Sequence, residues 1–265
     1  MPRVYKLDKL FAMNTDYTME ADKALIIRKI STNDTANVTP KISGVSLGKI
    51  IKAIAPLPRT YDFDLPMLDL GDLFYVVPAN KNLRFDGTAG SFVRCVGEIL
   101  EFLPGETLPG NYVDRFNAQG KRFVTFVYGA AAPQSWPNGA FVSVLELVPK
   151  TTESYLFKHY VGFNVAGTLT AVAPNNYRVR FSLDGKPLDN LLTTMSHLGI
   201  DGMSMFHPPT YNKNVEPFSL EGFPILVEGD HVFKVEVQNN TGADQTITSA
   251  NYPFIYMVCE YTMKG

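Results

Sequence analysis

The sequence predicts an all-β protein: two consecutive β-sandwich units with short helical segments in the crossings. Three observations carry this. The 265 residues hold 18 Phe and 13 Tyr against one Trp, with 20 Gly and 18 Pro, a composition of many short strands and many turns. Tyr177, Val179, Phe181 and Leu183 alternate with Arg178, Arg180 and Ser182, which puts apolar and polar side chains on opposite faces of a strand. That strand stops at Asp184-Gly185, a pair that readily supplies the positive φ of a tight turn, and the same local unit has an echo earlier in the chain.

Taken in order, residues 1–17 read as an arm. Leu7, Leu10 and Phe11 offer a little apolar surface, and Asn14-Thr15-Asp16 ends any helical turn early. The first unit is expected over 18–105. Residues 24–30, ALIIRKI, form a buried strand, and 38–42 a weak one interrupted by Pro40, which suits a sheet edge. Ser43-Gly44 turns the chain. Residues 73–77, 83–85 and 92–102 follow as strands, the last with a bulge expected at Gly97. Residues 106–150 are expected as a connecting loop and two strands, appended to the first unit or bridging, with the boundary between 103 and 152. The interval 103–120 is the most loop-like, while 122–128 and 141–148 are clear strands. Trp136, between them, is expected to fold under its loop. The second unit is expected over 151–265, with strands at 155–165, 177–183, 225–227 and 232–237. Residues 239–249 read as a polar hairpin arm. The long apolar closing strand, 252–261, should sit centrally or be covered on both faces.

The echo sets Ile42-Ser43-Gly44-Val45-Ser46-Leu47 beside Leu183-Asp184-Gly185-Lys186-Pro187-Leu188, and Ile50 beside Leu191. Val77 with Leu83-Arg84-Phe85 matches Val227 with Phe233-Lys234-Val235 at an equal gap. Phe92-Val93, Val96 and Glu98 match Phe254-Ile255, Val258 and Glu260. The pairs keep one chain order, as a duplicated sandwich would. Gly44, Asp184 and Gly185 are therefore the expected structural turn residues.

Charge and motifs exclude several function classes. A formal net charge of −2 gives no basic excess for specific nucleic-acid binding. No apolar run reaches membrane-span length, and residues 1–17 hold no signal-peptide core. Charged residues at 19% are few for a soluble monomer, which argues for surface spent on other chains. Cys95 and Cys259 lie far apart in strand-like segments and are expected as buried free thiols, a disulfide between them being the alternative. His159, His197, His207 and His231 have no metal-site spacing. No nucleophile elbow or phosphate loop occurs. Asp62, Asp64, Asp69 and Asp72 share one loop; they are expected as turn-forming side chains, with a calcium site the alternative. Tyr155, Phe157, Tyr160 and Phe163 are expected in a core, with a sugar-binding face the alternative. No catalytic residue and no cofactor are expected.

The strand, Asp-Gly turn and Leu188/Leu191 segment of 177–191 resembles a recurring piece of the jelly-roll capsid and structural proteins of icosahedral double-stranded-DNA viruses and phages. There a strand ends in an Asn/Asp-Gly turn and runs into a short crossing segment. The total length resembles the smaller double-jelly-roll major capsid proteins, and residues 232–261 resemble the last hairpin of phage structural sandwiches. In the first copy Pro40 interrupts the strand and Ser43-Gly44 replaces Asp-Gly. The resemblance implies two jelly-roll-like units and a virion structural protein, capsid or capsid-associated, that is not an enzyme. It would assemble with itself and with other virion proteins, and reside in the virion after synthesis in a host cytoplasm. Residues 1–17 and 103–120 would be intersubunit contacts. The alternative is a carbohydrate- or receptor-binding β-sandwich module of a phage tail or spike.

Gly185→Val tests the turn. A β-branched residue at positive φ costs on the order of 2 kcal/mol, so the variant should lose folding stability and assembly together. Retention of both would show that the positive-φ turn is absent.

Overall fold

The computed structural model describes residues 2–52, 54–55, 67–130, 134–163, 177–188, 218–220, 222, 224–247 and 254–264. The chain divides into two compact units: Met1–Phe126 with Glu260–Met263, and Val127–Cys259 with Lys264–Gly265.

The first unit contains β1 (Arg3–Ala12), β2 (Tyr17–Thr18), β3 (Lys23–Thr32), β4 (Thr39–Ile42), β5 (Val45–Ser46), β6 (Leu68–Asp69), β7 (Tyr75–Val77), β8 (Asn82–Asp86) and β9 (Phe92–Glu101), followed by the helix α1 (Gly110–Ala118). One sheet runs β1-β9-β3 with β6 and β7 both on β3; the other runs β2-β8-β4-β5. The chain changes sheet at each step except within the β4–β5 hairpin and between β6 and β7. That is the paired Greek-key order of a jelly roll.

Next come β10 (Arg122–Ala130), β11 (Gln134–Trp136), β12 (Phe141–Leu147), β13 (Glu153–Phe163), β14 (Tyr177–Leu183), β15 (Lys186–Pro187), β16 (Phe218–Ser219), β17 (Ile225–Glu228), β18 (Phe233–Asn239), β19 (Gln245–Ile247) and β20 (Phe254–Met263). Their sheets run β10-β20-β13 with β16 and β17 on β13, and β12-β18-β14-β15; β11 and β19 form a separate two-stranded ribbon. The second order reproduces the first, strand for strand. The fold is all-β, two consecutive jelly rolls. The division between the compact units falls inside β10 and inside β20.

Each sandwich is filled from both of its sheets. In the first, Phe11 of β1 meets Phe85 of β8 with ring centroids 6.0 Å apart. In the second, Phe157 of β13 stacks on Phe233 of β18 at 4.8 Å, and Tyr160 meets the edge of Phe181. Trp136 is fully buried in that core, as is Met257 of β20. The closing strand β20 is central, between β10 and β13, and Ile255 to Cys259 are all buried, as its apolar length requires.

The matched segments occupy equivalent places. Ser43 and Gly44 have φ of 49° and 82°, and Asp184 and Gly185 have φ of 51° and 73°. Both corners are thus two-residue hairpins with two positive-φ residues, the turn that suits the twist of antiparallel strands. Leu47 N–H donates to Pro40 O at 2.9 Å, and Leu188 N–H to Phe181 O at 2.9 Å. Ser43 N–H donates to Asn82 O at 2.9 Å, and Asp184 N–H to Val232 O at 2.8 Å. Across the neighbouring strand Ile42 faces Leu83, and Leu183 faces Phe233. Pro40 lies inside β4, opposite Phe85 in the register.

Three expectations are corrected. Residues 3–12 are not an arm. They form β1, paired along its whole length with β9, because Leu7 and Phe11 lie on the same face of a strand and both bury. The extra residue lies not at Gly97 but opposite it on β3, where the register slips between Ile27 and Lys29. Gly97 is glycine because a Cβ there would run into the Ile26 carbonyl. Residues 239–247 do not project as an arm: Asn239 is buried, its amide donates to Trp136 O and Ala243 O at 2.8 Å each, and Gln245–Ile247 pairs with β11; residues 248–249 lie outside the described residues.

Gly97→Ala should therefore cost about 2–3 kcal/mol of stability through overpacking, read as a lowered denaturation midpoint; an unchanged midpoint would show that β3 yields freely. The second corner also carries a titratable pair. Asp184 Oδ1 accepts from Val232 N–H at 2.9 Å, and Oδ2 lies 2.7 Å from His231 Nδ1. The backbone hydrogen bond and then the imidazole hold Asp184 below the usual carboxylate range, while Asp184 raises His231 above the usual imidazole value. The raised His231 contributes stability that is present below about pH 6.5 and lost as pH rises through its folded value. The lowered Asp184 contributes stability that is present above about pH 4 and lost as pH falls through its folded value. The stability gap between the natural chain and His231→Gln should then be wider near pH 6 than near pH 9; equal gaps would show that the pair contributes no charge-dependent stability.

Candidate functional surfaces

The expected turn residues Gly44, Asp184 and Gly185 sit at the two corners described above. The acidic loop is not brought together as a cation site in the described residues. Asp69 Oδ1 accepts from Gly71 N–H at 2.9 Å, and Oδ2 lies 3.3 Å from Lys29 Nζ. Asp72 is in a single 3-10 turn, Gly71–Leu73, and Asp62 and Asp64 lie outside the described residues. Among the described residues no group of three or more His, Cys, Asp or Glu could hold a metal. His231 belongs to the corner, His159 lies on β13, and His197 and His207 fall outside the described residues. Cys95 and Cys259 are buried thiols not joined in a disulfide, and burial pushes the Cys95 thiol up. Phe157 and Tyr160 are core residues and Tyr155 packs half-buried against them, so these three form no exposed aromatic platform; the side chain of Phe163 lies outside those described.

Residues 103–120 hold α1, not only a loop. Its nine residues have no long apolar stripe, and they are held by tertiary contacts. Tyr112 and Phe116, with Leu108 and Phe102, pack on Ala24, Ile26, Val76 and Leu100. This is the outer face of the β9-β3-β7 sheet. It explains why ALIIRKI is apolar at successive positions: β3 is covered on both faces. The side chain of Gln119 then closes the β7 edge like a strand residue. Its Oε1 accepts from Val76 N–H at 3.0 Å, and its Nε2 donates to Val76 O at 3.1 Å. Arg115, buried nearby, donates from Nε to Phe74 O at 2.8 Å and from a terminal nitrogen to Leu73 O at 2.9 Å. Burial lowers its pKa to about 10, so it remains charged at neutral pH. An exposed edge is a hazard, and here the helix removes it.

The opposite edge of the same sheet is β1. Its outer face and that of β9 expose Val4 (61%), Leu10 (56%) and Phe92 (40%), and Tyr5 is 48% exposed. Asp8 accepts from Arg94 Nε and a terminal nitrogen at 2.8 Å each, and that guanidinium holds the Asp8 carboxyl below its usual range. This surface was hidden in the sequence by a helical reading of Leu7, Leu10 and Phe11. The strand signal was there in RVYKLDKLFA, where Leu7 and Phe11 fall on one face and Val4 and Leu10 on the other. No helix among the described residues is long and apolar enough to cross a membrane.

No protein-family model matches this sequence and no curated protein resembles it. Among solved structures the chain is similar to one from the atomic structure of Sulfolobus turreted icosahedral virus, at 9% identity and a TM-score of 0.39, over 98% of this chain and 91% of that one. It is similar to the major capsid protein P2 of bacteriophage PM2, at 8% identity and a TM-score of 0.34, over 99% and 98%. It is also similar to BuGH86 in complex with neoagarooctaose, at 8% identity and a TM-score of 0.27, over 95% of this chain and 34% of that one.

Proposed function

We propose that this chain is a structural protein of a virion shell, which assembles with copies of itself and with other virion proteins and carries no enzymatic activity. The observation that supports this most is the repetition of one jelly-roll sheet order within a single chain. Jelly rolls serve in capsids and in lectins, and a fold alone does not assign a function. Three further features favour the shell. The Asp184-Gly185 corner has the form that the capsid resemblance implies. Phe157 and Tyr160, two of the aromatic side chains proposed for a sugar-binding face, are in the core. The outer face of β1 and β9 offers apolar side chains beside paired charges, the mixture that interfaces between protein chains use.

Electron microscopy and mass measurement of the purified full chain test the proposal. Closed or sheet-like assemblies, or an oligomer that adds to other virion proteins, are expected. A strict monomer at high concentration that incorporates into no shell would overturn it. Saturable glycan binding by such a monomer would point to the tail or spike module instead.

A further inference from the structure

We propose that two copies of this chain join edge to edge through β1, antiparallel, in the register that places Leu7 opposite Leu7. The contact deepens the self-association proposed above by naming its surface.

The open edge of β1 has a defined set of free backbone groups. Met13 N–H donates to Ser91 O, toward β9, whereas Ala12 N–H donates to the Tyr17 hydroxyl on the other side. The β1–β9 register runs without a slip, and successive residues of an antiparallel strand turn their backbone groups to opposite edges. Val4, Lys6, Asp8 and Leu10 therefore direct N–H and C=O away from β9. Among the described residues β1 pairs only with β9. At ten residues it is long for an exposed edge, where short strands are the usual safeguard.

The side chains of these same four residues select one register. All four are exposed on the outer face, in the order apolar, cationic, anionic, apolar. An antiparallel pair centred on Leu7 sets Val4 against Leu10 of the second copy and Lys6 against Asp8 of the second copy. Each match occurs twice by the twofold symmetry, as an isologous contact requires. Moving the centre by one residue toward either end sets Lys6 against Lys6 or Asp8 against Asp8. Half that movement pairs free backbone groups with groups already used by β9. Only the Leu7-centred register satisfies hydrogen bonds, charges and apolar contacts together. The row across it would read Glu98, Lys6, then Asp8 of the second copy, because Glu98 lies opposite Lys6 on β9. Lys6 and Asp8 thus guard the edge against misaligned strands while admitting one partner.

The test uses the full chain. Sedimentation equilibrium should show reversible self-association, and Lys6→Glu should weaken it at least about tenfold by turning two attractive pairs into repulsive ones. Lys6 is exposed, so that variant should still unfold cooperatively, its midpoint lowered only slightly by the like charge of Glu98 opposite. Under mild oxidation a mixture of Val4→Cys and Leu10→Cys chains should form a disulfide-linked dimer, since directly opposed residues lie about 5.5 Å apart at Cα. Each variant alone should not, because like positions sit about 20 Å apart in this register. Equal cross-linking by each variant alone, or unchanged association of Lys6→Glu, would overturn the contact. Shells formed without the mixed cross-link would remove this contact and leave the shell reading standing. The mixed cross-link without any shell would do the reverse.

Discussion

Two adjacent residues with positive φ hold each corner of this molecule. Such turns are costly for ordinary residues and easy for Gly, Asn and Asp. Both corners put Gly second, at Gly44 and Gly185, and differ at the first position, where Ser43 stands in place of Asp184. Each corner fixes a hairpin, the hairpin fixes the register of the strand beside it, and that register sets which side chains enter the core. A slip of one residue would carry Phe85, or Val235, from the core to the opposite face. The agreement of Ser43 with Asp184, Pro40 with Phe181 and Leu83 with Phe233, bond for bond, shows two sequences obeying one geometric requirement with different side chains.

The two units solve the other general problem of a sandwich, its edges and outer faces, by local means. In the first, α1 lies over β3, and Gln119 completes the hydrogen bonding of Val76 where another strand would otherwise stand. Arg115 satisfies the carbonyls just before β7. The helix is short, and its stability comes from the sheet it covers. In the second, His231 anchors Asp184 at the corner, and a separate ribbon of β11 and β19 closes over the Trp136 backbone through Asn239.

Much of this was legible in the sequence because strand alternation and turn chemistry are local. Tyr177–Leu183, the Asp184-Gly185 turn, the matched Ser43-Gly44 turn and the central place of β20 could all be read from spacing and residue type. What could not be read depends on contacts far apart in the chain. Residues 3–12 carry only two buried side chains, so an edge strand looked like a terminal arm. Pro109 and Gly110 suggested a loop, since nothing near them in sequence announces the sheet that stabilises α1. Gly97 marked an irregularity correctly but on the wrong strand, because a glycine can serve a bulge in its neighbour. Among the candidate site residues, the corner turns were legible for the same local reason, whereas the β1 surface needed β9 beside it to become visible.

The closing strand pairs with the strand that opens the second jelly roll. Tyr261 stacks on Phe123 at 4.8 Å, Arg122 pairs with Glu260 at 3.0 Å, and Met263 N–H donates to Lys121 O at 2.8 Å. Domains usually fold in the order in which a ribosome delivers them. Here β10 opens the second jelly roll, and its partner β20 is delivered only after every other strand of that sandwich has been synthesised. Its sheet can therefore close only at the end of synthesis, as a late and long-range step.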